Sequence, residues 1–400
     1  MISIALAAVA INAGQEAKIV EVIDPSSQVV VVQAFIKPPF ELDARYTANW
    51  LVLGNILLEG TKSLTPNQLK AFGSQAGVPP SVAVFSDFMV VQFVAPIGGL
   101  SLLGDLVSDV LTNAMLRDDD VLATTRRLES ASGNALVSSM LGIDYELSEV
   151  RADRIRDLYT RSFRPENIVI VVGGAVTEGE GVEEFTMRFA RNKYPRIGRP
   201  PRLGRGVGPL AGVDGNISTF LLTGQTIRPD ATAAVRTLLA LYALGVGKES
   251  AAFQALREER GWSYSQGAVL WPTAVGWSPR IYMQREAEED EVHFIADMRT
   301  ALLEAIDEWD EPVVARAVAM VEASFSYAMP TTPLRLRPDR VVSWSLEDRC
   351  SWRGYTEMTG AGQVDLDLIL GAMRNLDLDD LKLAAKLLIE GANGAVYPGR

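Results

Sequence analysis

Apolar and polar positions along this chain repeat one order of elements twice. Val29 to Ile36 is a nearly unbroken apolar run, as a buried strand requires, and Pro38-Pro39 turns the chain after it. Ala44 to Leu58 and Thr65 to Gly77 carry helical spacing, and Val82 to Val94 alternates or runs apolar like a strand. Gly98 to Leu116 and Asp118 to Leu141 read as long amphipathic helices, Glu146 to Ser162 as another helix closed by Pro165, and Asn167 to Gly173 (NIVIVVG) as the last strand.

The second half follows the same order. Ser218 to Thr223 is a strand, and Asp230 is a good N-cap for a helix running to Gly245. Ala251 to Glu259 is a helix ended by Gly261, Tyr264 to Val269 and Ser278 to Gln284 are strands, and Glu291 to Trp309, Glu311 to Met329 and Asp379 to Glu390 are helices. Between the halves, Tyr194 to Gly212 (YPRIGRPPRLGRGVGPLAG) is so rich in proline and glycine that neither helix nor strand runs through it. The expectation is a duplicated α+β chain, with half-domains at residues 1–193 and 213–400 joined by a linker at 194–212. Each half is expected to hold a mostly antiparallel sheet backed by helices and to turn that sheet towards a central cavity.

Composition narrows the chemistry. The 400 residues, 48% hydrophobic and 22% charged, suffice for two cored units. A net charge of -12 repels phosphate backbones, which makes nucleic acid a poor partner. There is a single cysteine, Cys350, and a single histidine, His293. A disulfide framework is excluded, and so is any intramolecular site that needs two imidazoles or two thiolates. His293 follows the acidic run Glu286 to Glu291 on an amphipathic stretch and reads as a solvated helical side chain; the acidic run itself reads as a solvated loop. Gly245 to Ser250 (GVGKES) fails as a phosphate loop, because its lysine is followed by Glu249 and its first glycine is misplaced. No run is long and apolar enough to span a bilayer; Ala231 to Val246 comes nearest and is interrupted by Arg236. Ile2 to Ile11 is either the core of a short signal peptide or the approach to a first strand around Val20 to Val22. The compartment is periplasmic if residues 1–13 are a signal peptide and cytoplasmic otherwise.

The segment that singles itself out is LREERGWSYSQG, Leu256 to Gly267. A helix runs into Arg257, Gly261 permits a left-handed turn, and Tyr264 opens a strand, so the ring can return alongside the Arg side chain. A guanidinium and a phenol together can hold a peptide carbonyl and stabilise an oxyanion. On spacing alone the better reading is an ordinary helix–turn–strand junction, with Arg257 in a surface ion pair and Tyr264 in the core.

This segment resembles the arginine–tyrosine motif of the insulinase/pitrilysin family of zinc metallopeptidases, in which the two residues also stand seven apart. Further stretches resemble the same family. They are Ile56 to Thr61 (ILLEGT), Leu69 to Gly77, Arg164-Pro165-Glu166-Asn167 with the strand after it, and Gly245 to Leu256. The similarity runs over about residues 15–395. It implies a LuxS/MPP-like metallopeptidase fold and a chain that pairs with a second subunit around a chamber. One departure stands out. The family's inverted zinc motif, H-x-x-E-H, falls on Leu51-Val52-Leu53-Gly54-Asn55, so both histidines and the general-base glutamate are missing. For the downstream acid ligand there is only Glu129, in a helix where a surface Glu is the plain reading. With one histidine in the chain, no realignment supplies the ligands.

What the resemblance implies is therefore a subunit without metal or cofactor of its own. Its partner is a homologous zinc-bearing peptidase subunit, and Arg257 and Tyr264 act in trans on a peptide at the partner's site. The competing implication is a purely structural or peptide-binding core subunit with no part in hydrolysis.

Overall fold

The computed structural model of the chain describes residues 17–131, 147–191, 194, 216–229, 233–288, 291–325, 345–364 and 371–397. Two mostly antiparallel sheets backed by helices form within them, which is the α+β class expected. The expected linker and the first sixteen residues lie outside the described residues, apart from Tyr194. Among the described residues no helix is long and apolar enough to cross a membrane.

The first sheet is built from β1 (Lys18–Ile23), β2 (Val29–Ile36), β3 (Ser81–Val84), β4 (Met89–Pro96) and β5 (Ile168–Gly174). Their spatial order is β1-β5-β2-β4-β3, and only β1 and β5 run parallel. The stretch expected as one strand from Val82 to Val94 is a hairpin, with Phe85 N–H donating to the Phe88 carbonyl across its turn. The helices of this half are α1 (Ala44–Ile56), α2 (Pro66–Gly73), α3 (Leu100–Asn113), α4 (Asp118–Ala131), α5 (Ala152–Ser162) and α6 (Glu180–Arg191). The Asp43 carboxylate caps α1 by accepting from Tyr46 N–H, and Thr65 and Gln68 form a capping box on α2.

The second sheet is antiparallel throughout. It comprises β6 (Ile217–Thr223), β7 (Ser265–Thr273), β8 (Gly276–Glu286) and β9 (Asn393–Tyr397) in the order β7-β8-β6-β9. The helices of this half of the sequence are α7 (Ala233–Gly245), a π-helix (Ala252–Glu259), α8 (Phe294–Asp307), α9 (Glu311–Phe325), α10 (Leu346–Met358) and α11 (Leu378–Glu390). The sequence pattern carried no expectation for α6, α10 or β9.

Helix α10 crosses between the halves. It belongs to the second half of the sequence, yet it packs across β1, β2 and β5 of the first sheet. That sheet therefore does not turn an open face to a cavity over these strands. Along β2, Val30, Val32, Ala34 and Ile36 face α1 and α3 in one core, while Val31 and Phe35 face α10 in another that continues into the second sheet. Covering on both faces is why β5, and β2 apart from Gln33, read as continuous apolar runs rather than alternating ones. The fit is reciprocal. Gly173 of β5 lies under the Cys350 side chain, and Gly354 of α10 lies over the Phe35 ring. Polar contacts flank it: Ser351 Oγ donates to Gln33 Oε1 at 2.8 Å, and Gln33 Nε2 donates to the Glu347 carbonyl at 3.2 Å. The buried Glu357 carboxylate binds Lys18 of β1 and, at 2.6 Å, Arg353.

A second junction joins the β3–β4 turn to the β7–β8 turn. Asp87 Oδ2 accepts from Ala274 N–H at 3.0 Å, Trp271 Nε1 donates to Ser86 Oγ at 3.4 Å, and Tyr355 of α10 donates to the Gly276 carbonyl at 2.6 Å. Burial pushes the Asp87 carboxyl up to about 6, a rise only partly offset by the Ala274 N–H and by Arg280. The folded chain thus holds a proton on Asp87 that the unfolded chain has released between about pH 4 and pH 6. Stability contributed here is present below pH 4 and falls as pH rises through 6, by at most about 3 kcal/mol. Asp87→Asn keeps an acceptor for Ala274 N–H and should melt higher than wild type at pH 7.5, with the gap closing by pH 4. A gap of equal size at both pH values would contradict this account.

Candidate functional site

Arg257 and Tyr264 stand at the end of the second sheet nearest the π-helix. The sequence predicts an α-helix here, but Ala252–Glu259 is wound as a π-helix. Over eight residues the two periodicities place the same residues, Ala252, Ala255 and Leu256, inward, so the sequence pattern does not separate them. π-Helical turns are rare and concentrate at functional sites. Gly261 takes φ +62°, the left-handed turn expected of it, and donates its N–H to the Arg257 carbonyl. Tyr264 N–H then donates to the Gln284 carbonyl at 2.9 Å and extends the pairing of β7 with β8.

The neighbours of the pair are occupied with holding this turn. Arg260 lies over the Trp262 ring, donates to the Ala255 carbonyl at 3.1 Å and binds Glu304 of α8 at 2.6 Å. Trp262 meets Phe294 edge to face, and Ser263 Oγ donates to Gln266 Oε1. The pair is more exposed than these neighbours. Arg257 is exposed, stacks over Phe253 at 5.4 Å and donates from Nη1 to the Tyr264 carbonyl at 3.1 Å; among the described residues it has no carboxylate partner. Tyr264 is 65% exposed, unusual for a tyrosine, with its hydroxyl 3.5 Å from Glu286 Oε2. The guanidinium and the phenol are thus held to one stretch of backbone without touching each other.

Glu286 is a residue that sequence reasoning missed. The acidic run was expected to be a solvated loop, but Glu286 is the last residue of β8, Glu288 binds Arg285, and the largely buried Glu291 accepts from Ser218 Oγ at 2.8 Å. No spacing rule connects Glu286 to Tyr264; the register of β8 against β7 does. His293 lies exposed at the entry to α8, and burial pushes the Cys350 thiol up to about 12, which leaves it unfit as a nucleophile.

The window Leu51 to Asn55, on which the resemblance places the zinc motif, lies on α1. Leu51 and Asn55 form its half-buried stripe, and Gly54 is buried. These residues do not fit a zinc ion. Leu51 has no donor atom and Gly54 no side chain. A Cβ at Gly54 would lie 2.2 Å from Val84 Cγ2, and 3.2 and 3.3 Å from Val84 Cγ1 and Cβ, so a larger side chain at 54 meets strand β3. Asn55 Nδ2 donates to the Leu51 carbonyl at 2.9 Å, and Asn55 Oδ1 accepts from Arg127 of α4 at 3.2 Å. Glu129 is exposed on the same helix.

No known family's profile matches this sequence, and no curated protein matches it either. Solved structures do. A peptidase M16 inactive domain from Pseudomonas fluorescens superposes with a TM-score of 0.69 at 12% identity, over 96% of both chains. The chain has the fold of that inactive domain. A protease from Helicobacter pylori gives 0.69 at 11% identity and a conserved protein from Enterococcus faecalis V583 gives 0.66 at 11%, each again over 96% of both chains. Fold and length are therefore shared end to end, while the side chains have diverged almost completely.

Proposed function

We propose that this chain is the non-catalytic subunit of a heteromeric insulinase/pitrilysin-type zinc peptidase, and that it presents Arg257 and Tyr264 to a peptide held at the partner's metal. The observation that carries this reading is the contrast within one turn. Arg260, Trp262 and Ser263 are committed to packing or bonding, while Arg257 has no ion-pair partner among the described residues and Tyr264 is exposed in a protein of net charge -12. A structural junction needs neither feature. In this reading a zinc held by the partner would supply the attacking hydroxide, and this chain's two groups would donate hydrogen bonds to the peptide backbone and to the developing oxyanion of the scissile carbonyl. The M16 inactive domain among the structural neighbours supports a peptidase-like chain that does not itself cleave.

The test is reconstitution. The chain purified alone should hold no stoichiometric zinc and cleave no fluorogenic peptide. Co-purified from its host with a homologous H-x-x-E-H subunit, it should form a complex with one zinc whose turnover depends on both chains. One equivalent of tightly held zinc in the isolated chain, or full activity of the partner without it, would refute the proposal and favour a structural core subunit.

A further inference from the structure

We infer that the place of the missing zinc has been rebuilt as a carboxylate-binding site whose fixed cation is Arg127. Two observations on different elements carry this. The volume of the absent general base is filled by Val84, so this part of α1 is a closed packing surface rather than a metal site stripped of ligands. Beside it, Asn55 faces two ways: its amide nitrogen is tied back to the Leu51 carbonyl, and its oxygen accepts from Arg127 Nη2. This orients one edge of a planar guanidinium and leaves the other N–H donors to solvent.

The electrostatics favour an incoming anion. Arg127 is exposed and forms no ion pair among the described residues, whereas Arg154, Arg156 and Arg161 of the neighbouring helix and Arg188 each bind a carboxylate. Its helical neighbours at three and four positions are Ala123, Thr124, Ser130 and Ala131, none of them acidic, and Glu129, two positions on, projects from another side of the helix. Arg126 adds a second exposed positive charge next to it. A carboxylate bound side-on by a guanidinium makes two parallel charge-assisted hydrogen bonds. On the proposed reading of this chain as a peptide-handling subunit, on which this inference rests, the ligand is a peptide's free C-terminal carboxylate.

The experiment uses a neutral decapeptide labelled with fluorescein at its N-terminus, as free acid and as C-terminal amide, titrated with the full chain by fluorescence anisotropy. The free acid should bind at least about tenfold tighter than the amide. Arg127→Gln, which changes an exposed side chain and should melt like wild type, should erase that preference, and Asn55→Ala should weaken it. In parallel, Leu51→His with Gly54→Glu and Asn55→His should yield no stoichiometric zinc by elemental analysis, because Val84 and Arg127 remain in place. Equal affinity for acid and amide, no binding of either, a preference that survives Arg127→Gln, or one zinc in the triple variant would each overturn the inference. Equal affinity with measurable binding would leave the peptide-handling reading intact. Loss of turnover in the reconstituted complex with the acid preference retained would count against that reading alone.

Discussion

Tyr264→Phe in the assembled complex is expected to lower peptide turnover about 100- to 1,000-fold while leaving assembly intact, which is the effect of removing one donor from a preorganised oxyanion site. The substitution deletes a hydroxyl and keeps the ring, and at 65% exposure the ring supports no core that could collapse. Arg257→Lys keeps the charge but loses the planar fork that now donates to the Tyr264 carbonyl, so it should be impaired as well. The two losses should combine less than additively if both groups serve the same oxyanion. The measurement is turnover of a fluorogenic peptide by the reconstituted complex, with a sizing column showing that each variant still assembles. A structural subunit predicts a silent Tyr264→Phe, and an intact complex turning over at the wild-type rate would remove the catalytic role.

Gly354→Val should be strongly destabilising. A Cβ at 354 would lie 2.1 Å from Phe35 Cε2 and 2.5 Å from Cδ2, and Phe35 is fully buried at the middle of the first sheet. Neither partner has room to yield, because the opposite face of β2 is packed against α1 and α3. Overpacking of this kind costs about 3 kcal/mol, a fall of roughly 3–4 °C in Tm for a chain of this size. Trimming the ring in Gly354→Val/Phe35→Leu should recover part of the loss, and the double-mutant cycle should show strong coupling. Gly371→Ala is the control. Among the described residues nothing lies within 4 Å of a Cβ there, and the change should be neutral or slightly stabilising in thermal melts. Equal losses at 354 and 371 would mean that α10 is not docked on Phe35.

Of the candidate site, the sequence named residues and not their arrangement. The seven-residue spacing of Arg257 and Tyr264 across Gly261 was legible because a helix end, a positive-φ glycine and a strand start are local events. The π-helical winding was not, since eight residues leave the two periodicities overlapping. Glu286 beside Tyr264, and Arg127 on Asn55, are contacts between residues 22 and 72 positions apart. They depend on strand register and on helix packing, to which a sequence pattern is blind.

Composition and period alone were enough to establish the α+β class, most helices and strands, and the lack of any histidine pair to bind metal. The sequence reading expected the first sheet to face a cavity, although the nearly continuous apolar runs of β2 and β5 are what cover on both faces produces. It took the tertiary structure to show that α10, from the other half of the sequence, supplies that cover, and that Val84 closes over Gly54. Hydrophobic burial is non-directional, so an apolar face specifies that it must be covered and leaves the choice of partner to shape, here a glycine on each side receiving a side chain from the other.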